Sequence, residues 1–174
     1  RYVGHFINGK PDGQGKMIMP NGDTFEGEFR NGLMNGFGKY INNANDYKLK
    51  PNDVILYEGE WLNSRFTGHG RAEYSNGDVF DGSWAHGNWH GKGKLIYSHG
   101  ETFSGTFHHG KPKGYASTIL RDGTIVSGNV DGDYNFFGIV TREKTDGTKQ
   151  EEFWENNTTL GIFYLGRWIL RGKD

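Results

Sequence analysis

The sequence predicts an all-β protein, an elongated and twisted antiparallel meander of about six to seven repeated β-hairpins. An aromatic-x-Gly-x-aromatic motif returns at 23-residue intervals, and Asn-Gly, Asp-Gly and His-Gly pairs, which favour tight turns, lie between its copies. Glycine makes up 29 of the 174 residues, and aromatic residues make up 15%. Because aliphatic residues are sparse, the buried surface must consist of rings packed over a glycine-rich backbone. No segment of the sequence has a helical pattern.

The first aromatic residue of each motif copy marks the start of a repeat. Starts lie 23 residues apart except for one interval of 32, which contains an insertion. The starts are Tyr2, Phe25, Tyr57, Phe80, Phe103 and, in a weaker copy, Val126. The whole chain, 1–174, is interpreted as a single array with regular repeats at 2–41 and 57–125, an insertion at 42–56, degenerate repeats at 126–163 and a C-terminal cap at 160–174. The apolar cap is expected to cover the last strand edge.

Each repeat predicts a hairpin. In residues 25–29, aromatic or glycine residues alternate with glutamates, and this period of two predicts a strand with one apolar face. The central glycine leaves room for neighbouring rings to fold over the backbone. With the first aromatic residue counted as position 0, glycines at positions 7 and 11 predict turns, and position 9 (Pro11, Trp89 and Pro112) is expected inside the turn. A second short strand and a glycine turn at position 20 complete the hairpin.

The repeat resembles the MORN repeat, whose name stands for membrane occupation and recognition nexus. The similarity rests on Y/F-x-G-x-W/F followed by glycine at positions 7, 11, 13 and 20, closely over residues 2–125 and loosely over 126–168. The resemblance implies an array of β-hairpins, often dimeric, whose aromatic face forms a groove. It also implies a scaffold at cilia, the cytoskeleton or membrane junctions, or a regulatory segment of a lipid kinase or a lysine methyltransferase.

The candidate site is a groove for a helix or peptide of a partner protein. A sheet that buries one face leaves an aromatic face partly open, and large aromatic residues are typical of binding hot spots. The alternative is that these rings serve the fold alone. Trp89 is the better candidate for specificity, because the repeat does not require a tryptophan there. The predicted groove residues are Tyr57, Trp61, Phe80, Trp84, Trp89, Phe103 and Phe107.

Other kinds of site find little support in the sequence. The seven histidines are interpreted as solvated turn residues, with His86 and His109 expected side by side because both are at position 6. Without cysteine or an HExxH spacing, no metal site and no cofactor are predicted. Residues 91–94 lack the full phosphate-loop pattern. No nucleophile with a base and no carboxylate pair stands out, so the chain is not expected to be an enzyme.

The net charge of the chain makes some classes of binding partner less expected than others. A net charge of −1, with 20 basic and 21 acidic residues, disfavours nucleic acid. We expect a non-catalytic protein-binding scaffold in the cytoplasm, associated with a cilium or flagellum, the cytoskeleton or a membrane surface. The alternatives are an acidic-phospholipid-binding module and a regulatory segment of a larger enzyme. A homodimer and weak contact with membrane lipid also stay open.

Overall fold

The structure is a computed structural model that describes residues 1–43, 49–50, 52–164 and 167–170, with side chains described as far as Ile162. In this part of the chain, no helix is long and apolar enough to cross a membrane. The regular elements are β-strands, as the alternating pattern predicts. They are β1 (Tyr2–Ile7), β2 (Lys10–Ile18), β3 (Thr24–Arg30), β4 (Leu33–Ile41), β5 (Val54–Leu62), β6 (Arg65–Tyr74), β7 (Val79–Ala85), β8 (Asn88–Ile96), β9 (Thr102–His108), β10 (Lys111–Pro112), β11 (Gly114–Ile119), β12 (Ile125–Val130), β13 (Phe136–Glu143), β14 (Lys149–Glu155), β15 (Thr158–Tyr164) and β16 (Arg167–Leu170).

The chain forms two compact units, residues 1–89 (unit 1) and residues 90–174 (unit 2). In unit 1, strands β1 to β7 pair antiparallel, each with the next strand in the chain. In unit 2, β8 pairs with β9, β9 pairs with β10 and β11, and from β11 onward each strand pairs with the one that follows it. This connectivity confirms the predicted all-β meander of hairpins.

Two kinds of turn connect the strands. The tight turn at positions 6 and 7 has two residues with positive φ, as at Asn31 (50°) and Gly32 (85°). This conformation suits a two-residue hairpin turn because it matches the twist of the flanking strands. The wider turn at position 20 places one glycine in the left-handed region, as at Gly77 (84°), whose N–H donates to the Tyr74 carbonyl at 2.9 Å. The turn glycines predicted at positions 7 and 20 are confirmed.

Position 9 lies in a strand, and the prediction that it is part of a turn is wrong. Trp89 belongs to β8 and Pro11 to β2, because two residues already complete the tight turn. The predicted turn glycine at position 11 is also inside a strand, as Gly36 is in β4. At Gly36, where φ is 72°, the register of β3 against β4 shifts, so the Asn-Gly pair marks a β-bulge rather than a turn.

Glycine provides the space that the first ring of a repeat occupies. In unit 1 the ring of Tyr57 lies over Gly59 and Gly70, which are paired across β5 and β6. A Cβ at Gly70 would lie well inside van der Waals contact with this ring. The predicted folding of rings over bare backbone is therefore present. The rings at positions 0 and 4 form the core of unit 1: Phe25, Phe29, Tyr57, Trp61, Phe80 and Trp84.

The predicted insertion overlaps the start of a strand. The strand β5 begins at Val54, so the last three residues of the predicted segment 42–56 belong to a strand, and residues 44–48 and 51 lie outside the described residues. Lys50, in the C-terminal part of the insertion, contacts the wide turn that follows β6. There the Ser75 hydroxyl donates to the Lys50 carbonyl at 2.6 Å. This contact ties the insertion to unit 1.

The predicted degenerate repeats and cap continue the hairpin pattern in unit 2. Residues 126–163 contribute to strands β12 to β15. Of the predicted cap 160–174, residues 160–164 end β15 and residues 167–170 form β16, which pairs with it. The rest of the cap lies outside the described residues, and its role in covering the sheet edge stays a prediction.

Candidate functional site

The predicted groove residues are divided between the two units. Unit 1 contains five of them and unit 2 contains Phe103 and Phe107. Six of the seven are buried, with at most 6% of the residue exposed, whereas Trp89 is half-buried. The buried six are Tyr57, Trp61, Phe80, Trp84, Phe103 and Phe107. These rings build the cores of their own units, and their contact with a partner stays a prediction.

Residues at position 9 cover the first ring of their repeat. The ring of Phe66 stacks on that of Tyr57 with the centroids 3.9 Å apart, and the ring of Trp89 stacks on that of Phe80 at 4.3 Å. Aromatic pairs of this kind contribute about 0.5–1.5 kcal/mol beyond the area that they bury. In the second repeat the same position holds Met34. Because the residue at position 9 differs from repeat to repeat, it determines the local surface of the ring layer.

The tryptophans at position 4 are held by hydrogen bonds across the sheet. Trp61 Nε1 donates to the Gly38 carbonyl at 3.1 Å, and Trp84 Nε1 donates to the Gly70 carbonyl at 2.9 Å. Each acceptor is the glycine at position 13 of the preceding repeat. Because both indole N–H groups have partners, their burial leaves no polar group unsatisfied. The tryptophan rings are thereby fixed in position.

A cavity of about 590 Å³ lies beside the ring layer of unit 1. The rings of Trp61 and Phe66 meet in its wall with centroids 4.8 Å apart and planes at 75°. Cavities of this size are typical of ligand and anchor-residue pockets. The apolar and aromatic side chains of the lining are Met19, Met34, Tyr40, Trp61 and Phe66. The polar side chains of the lining are Asn42, Asp53, Ser64 and Arg65.

The sequence prediction missed most of this cavity. Of the seven predicted groove residues, Trp61 alone is in the lining. Phe66 and Met34 were missed, although Trp89, at the same position 9, was among the predicted groove residues. The recurrence of large side chains there, as in Trp89, is the signal that could have identified them. The insertion also contributes to the lining through Asp53.

A buried carboxylate supports one wall of the cavity. Asp23 is 5% exposed and accepts hydrogen bonds from the Tyr40 hydroxyl at 2.5 Å, from Asn21 Nδ2 at 2.8 Å and from the Asn43 N–H at 3.0 Å. Burial alone would raise the pKa of Asp23, but these hydrogen bonds outweigh it and hold the pKa below its usual value. Burial and the neighbouring carboxylate raise the pKa of Tyr40. The tyrosine hydroxyl therefore keeps the proton that it donates to Asp23 well above neutral pH.

Comparison with known proteins decides the family. The family model of the MORN repeat matches residues 2–24, 25–45, 57–79, 80–102 and 103–125. The chain belongs to the MORN-repeat family. The matched MORN repeats begin at the five aromatic starts that the sequence indicated.

Curated relatives share part of the MORN-repeat region. Alsin from Rattus norvegicus is 37% identical over 79 residues, and Alsin from Homo sapiens is 38% identical over 80. The ALS2 C-terminal-like protein from Homo sapiens is 31% identical over 80 residues. Each match covers 45% of this chain but about 4% of Alsin and 8% of the ALS2 C-terminal-like protein. The similarity is therefore limited to a small segment of these relatives.

Membership in the MORN-repeat family indicates the general class of function but no specific partner. MORN repeats are generally modules for interaction with proteins or membranes. Neither the MORN repeats nor the matched regions of Alsin are catalytic modules.

Proposed function

We propose that this chain is a non-catalytic protein-binding scaffold that holds a helix or peptide of a partner protein at the cavity of unit 1. The observation that supports the proposal is the cavity of about 590 Å³ between Trp61, Phe66 and the end of the insertion. This volume accommodates the anchoring side chains of a partner segment. The half-buried ring of Phe66 provides most of the aromatic surface, and the small exposed part of Trp61 adds to it. Aromatic residues are enriched in protein interfaces.

The polar rim sets the orientation of the bound segment. Asp53 and Arg65 carry opposite charges on the lining, so a partner segment with an apolar anchor between charged residues fits best. Arg65 is exposed, whereas Trp61 is 6% exposed and fixed by its hydrogen bond to Gly38. Because this hydrogen bond already holds the Trp61 side chain, ordering that side chain adds little to the entropic cost of association.

The test compares two charge reversals in the same strand. Arg65→Glu changes the rim of the cavity, and Arg71→Glu changes an exposed arginine of β6 outside it. Arg71 forms an ion pair with Glu73 at 3.5 Å, a surface interaction that contributes little to stability. Both variants are therefore expected to fold, and circular dichroism checks this.

Affinity capture from native lysate is the measurement. We expect proteins that the wild type and Arg71→Glu retain and that Arg65→Glu loses. Equal retention by all three proteins would contradict a site at the cavity. Salt-sensitive binding to phosphatidylserine vesicles in place of protein capture would favour the acidic-phospholipid alternative, and capture of a second copy of the chain would favour a homodimer.

The relatives favour a second candidate function. Because the matching region is about 4% of Alsin, a segment with these repeats can belong to a much larger protein. The chain then acts as a regulatory segment, and the cavity holds another part of the same protein. A full-length reading frame tests this candidate. For the setting we propose the cytoplasm, at a cilium or flagellum, the cytoskeleton or a membrane surface, which fluorescence imaging of the full-length protein would test.

A further inference from the structure

Three histidines converge at one point of unit 2. His90 lies in β8, His108 is the last residue of β9, and His109 begins the tight turn that follows. The imidazole centroids are 4.9 Å apart for His90 and His108, 5.5 Å for His90 and His109, and 4.4 Å for His108 and His109. One ring nitrogen from each histidine lies within 4.8 Å of the other two. The sequence predicted solvated turn histidines and did not predict this cluster.

The strand register places two of the three side by side. Gly91 of β8 pairs with Phe107 of β9 in an antiparallel ladder. Antiparallel strands run in opposite directions, so the residue before Gly91, His90, lies opposite the residue after Phe107, His108. Side chains of directly opposed residues on one face are within reach of each other.

The repeat geometry brings in the third histidine. In unit 1, position 10 of one repeat approaches position 6 of the next: Asp12 Oδ2 accepts from the Asn31 N–H at 3.0 Å, and Asn35 Oδ1 accepts from the Asn63 N–H at 3.4 Å. His90 is at position 10 and His109 at position 6 of the following repeat. The architecture thus juxtaposes two positions that are both histidine only in this pair of repeats, since His86 at position 6 follows a repeat with Thr67 at position 10.

The cluster has the chemistry of a transition-metal site. Imidazole nitrogen is a preferred ligand of zinc, and three protein ligands with an open fourth position are a common zinc arrangement. Tetrahedral zinc with bonds of about 2.0–2.1 Å requires nitrogens about 3.3 Å apart. His108 and His109 are exposed and His90 is half-buried, so small side-chain rotations can close the present separations.

Charged neighbours of the three histidines affect both the pKa of His108 and the binding of a cation. Partial desolvation, His109, His90 and Lys113 hold the pKa of His108 below its usual value. The ammonium of Lys113 opposes a bound cation. The nearby ammonium of Lys111 is 3.4 Å from the Asp133 carboxylate, which offsets its charge.

We propose that His90, His108 and His109 form a zinc-binding site whose fourth position is open to solvent or to a ligand from another molecule. The site lies in unit 2 and shares no residue with the cavity of unit 1. Its binding of zinc does not depend on the proposed partner, so the two proposals can fail independently.

The test is calorimetric titration of the metal-free full chain, without an affinity tag, with zinc chloride at pH 7.5. We expect one zinc ion per chain, and we expect His109→Gln to weaken binding by roughly tenfold or more because it removes one of three ligands. The matched control is His86→Gln, since His86 is an exposed position-6 histidine with a similar φ (52° against 51°). This control should bind like the wild type.

Three results would overturn the proposal. The first is no stoichiometric binding by the wild type. The second is equal affinity of the wild type and His109→Gln. The third is equal weakening by His86→Gln and His109→Gln, which would mean diffuse binding to surface histidines. Circular dichroism of each variant shows that a loss of binding is not a loss of fold. Tetrahedral absorption bands after Co²⁺ replaces Zn²⁺ would provide independent support.

Discussion

Replacing Gly70 by alanine tests whether glycine is required beneath the ring of Tyr57. The new Cβ would overlap the hydroxyl end of this ring, and Gly70 has no positive φ that would complicate the substitution. The ring cannot move away without cost, because Phe66 stacks on it at 3.9 Å and its hydroxyl donates to the Glu60 carbonyl at 3.1 Å. The substitution therefore acts through overlap with a fixed side chain.

The magnitude follows from three contributions. Overpacking in a filled core costs about 1–3 kcal/mol. Loss of the Tyr57 hydrogen bond adds about 1 kcal/mol, and the better strand preference of alanine returns about 0.5–1 kcal/mol. We therefore expect Gly70→Ala to lower the free energy of unfolding by roughly 1–3.5 kcal/mol.

Urea unfolding followed by tryptophan fluorescence is the assay, and a double variant is the control. Tyr57→Leu removes the ring atoms that a Cβ at Gly70 would meet. In that background, Gly70→Ala should cost less than about 1 kcal/mol, because the overlap is gone. A cost below about 0.5 kcal/mol in the wild type, or the same cost in both backgrounds, would refute the reasoning.

Two further predictions concern stability. Trp84→Phe keeps an aromatic ring at this position but removes the 2.9 Å hydrogen bond to the Gly70 carbonyl. The free energy of unfolding should therefore fall by about 1–3 kcal/mol, and a change within measurement error would contradict an anchoring role for this hydrogen bond. The second prediction concerns Asp23, whose pKa is lower in the folded chain than in the unfolded chain. Its carboxylate stabilises the fold fully at pH values above the unfolded-state pKa of about 3.9. This stabilisation is lost as the pH falls through the lower pKa of the folded chain. Urea midpoints of the wild type and Asp23→Asn should therefore differ at pH 7 and converge at acidic pH; a constant difference from pH 7 to pH 3 would show that ionisation of Asp23 is not involved.

Much of the fold could be predicted from the sequence because the interactions are local or repeat at a fixed interval. The alternation around Gly27 predicts a strand with one buried face, and Asn31-Gly32 predicts a tight turn from backbone preference alone. The insertion was located by the break in the interval, although its last three residues belong to β5. The bulge at Gly36 was mistaken for a turn because both features favour a glycine with positive φ.

The candidate sites were harder to predict because they depend on packing between repeats. Six of the seven rings selected from the sequence are buried, and Phe66 and Trp89 cover two of them, Tyr57 and Phe80. The sequence contains those residues, but their role depends on which strand face position 9 occupies. The lining of the cavity likewise depends on how the end of the insertion, with Asp53, meets the ring layer.

The sequence by itself determined the family, the strand period, the tight turns and the glycine positions beneath the rings, because these follow from backbone preferences and from spacing along the chain. Only the tertiary structure decided which rings are covered, where a cavity remains in unit 1 and which histidines meet in unit 2. The physical reason is that the strand register and the contact between successive hairpins bring together residues about 20 positions apart, such as His90 and His109. A residue's place in the repeat specifies its neighbours only after that register is known.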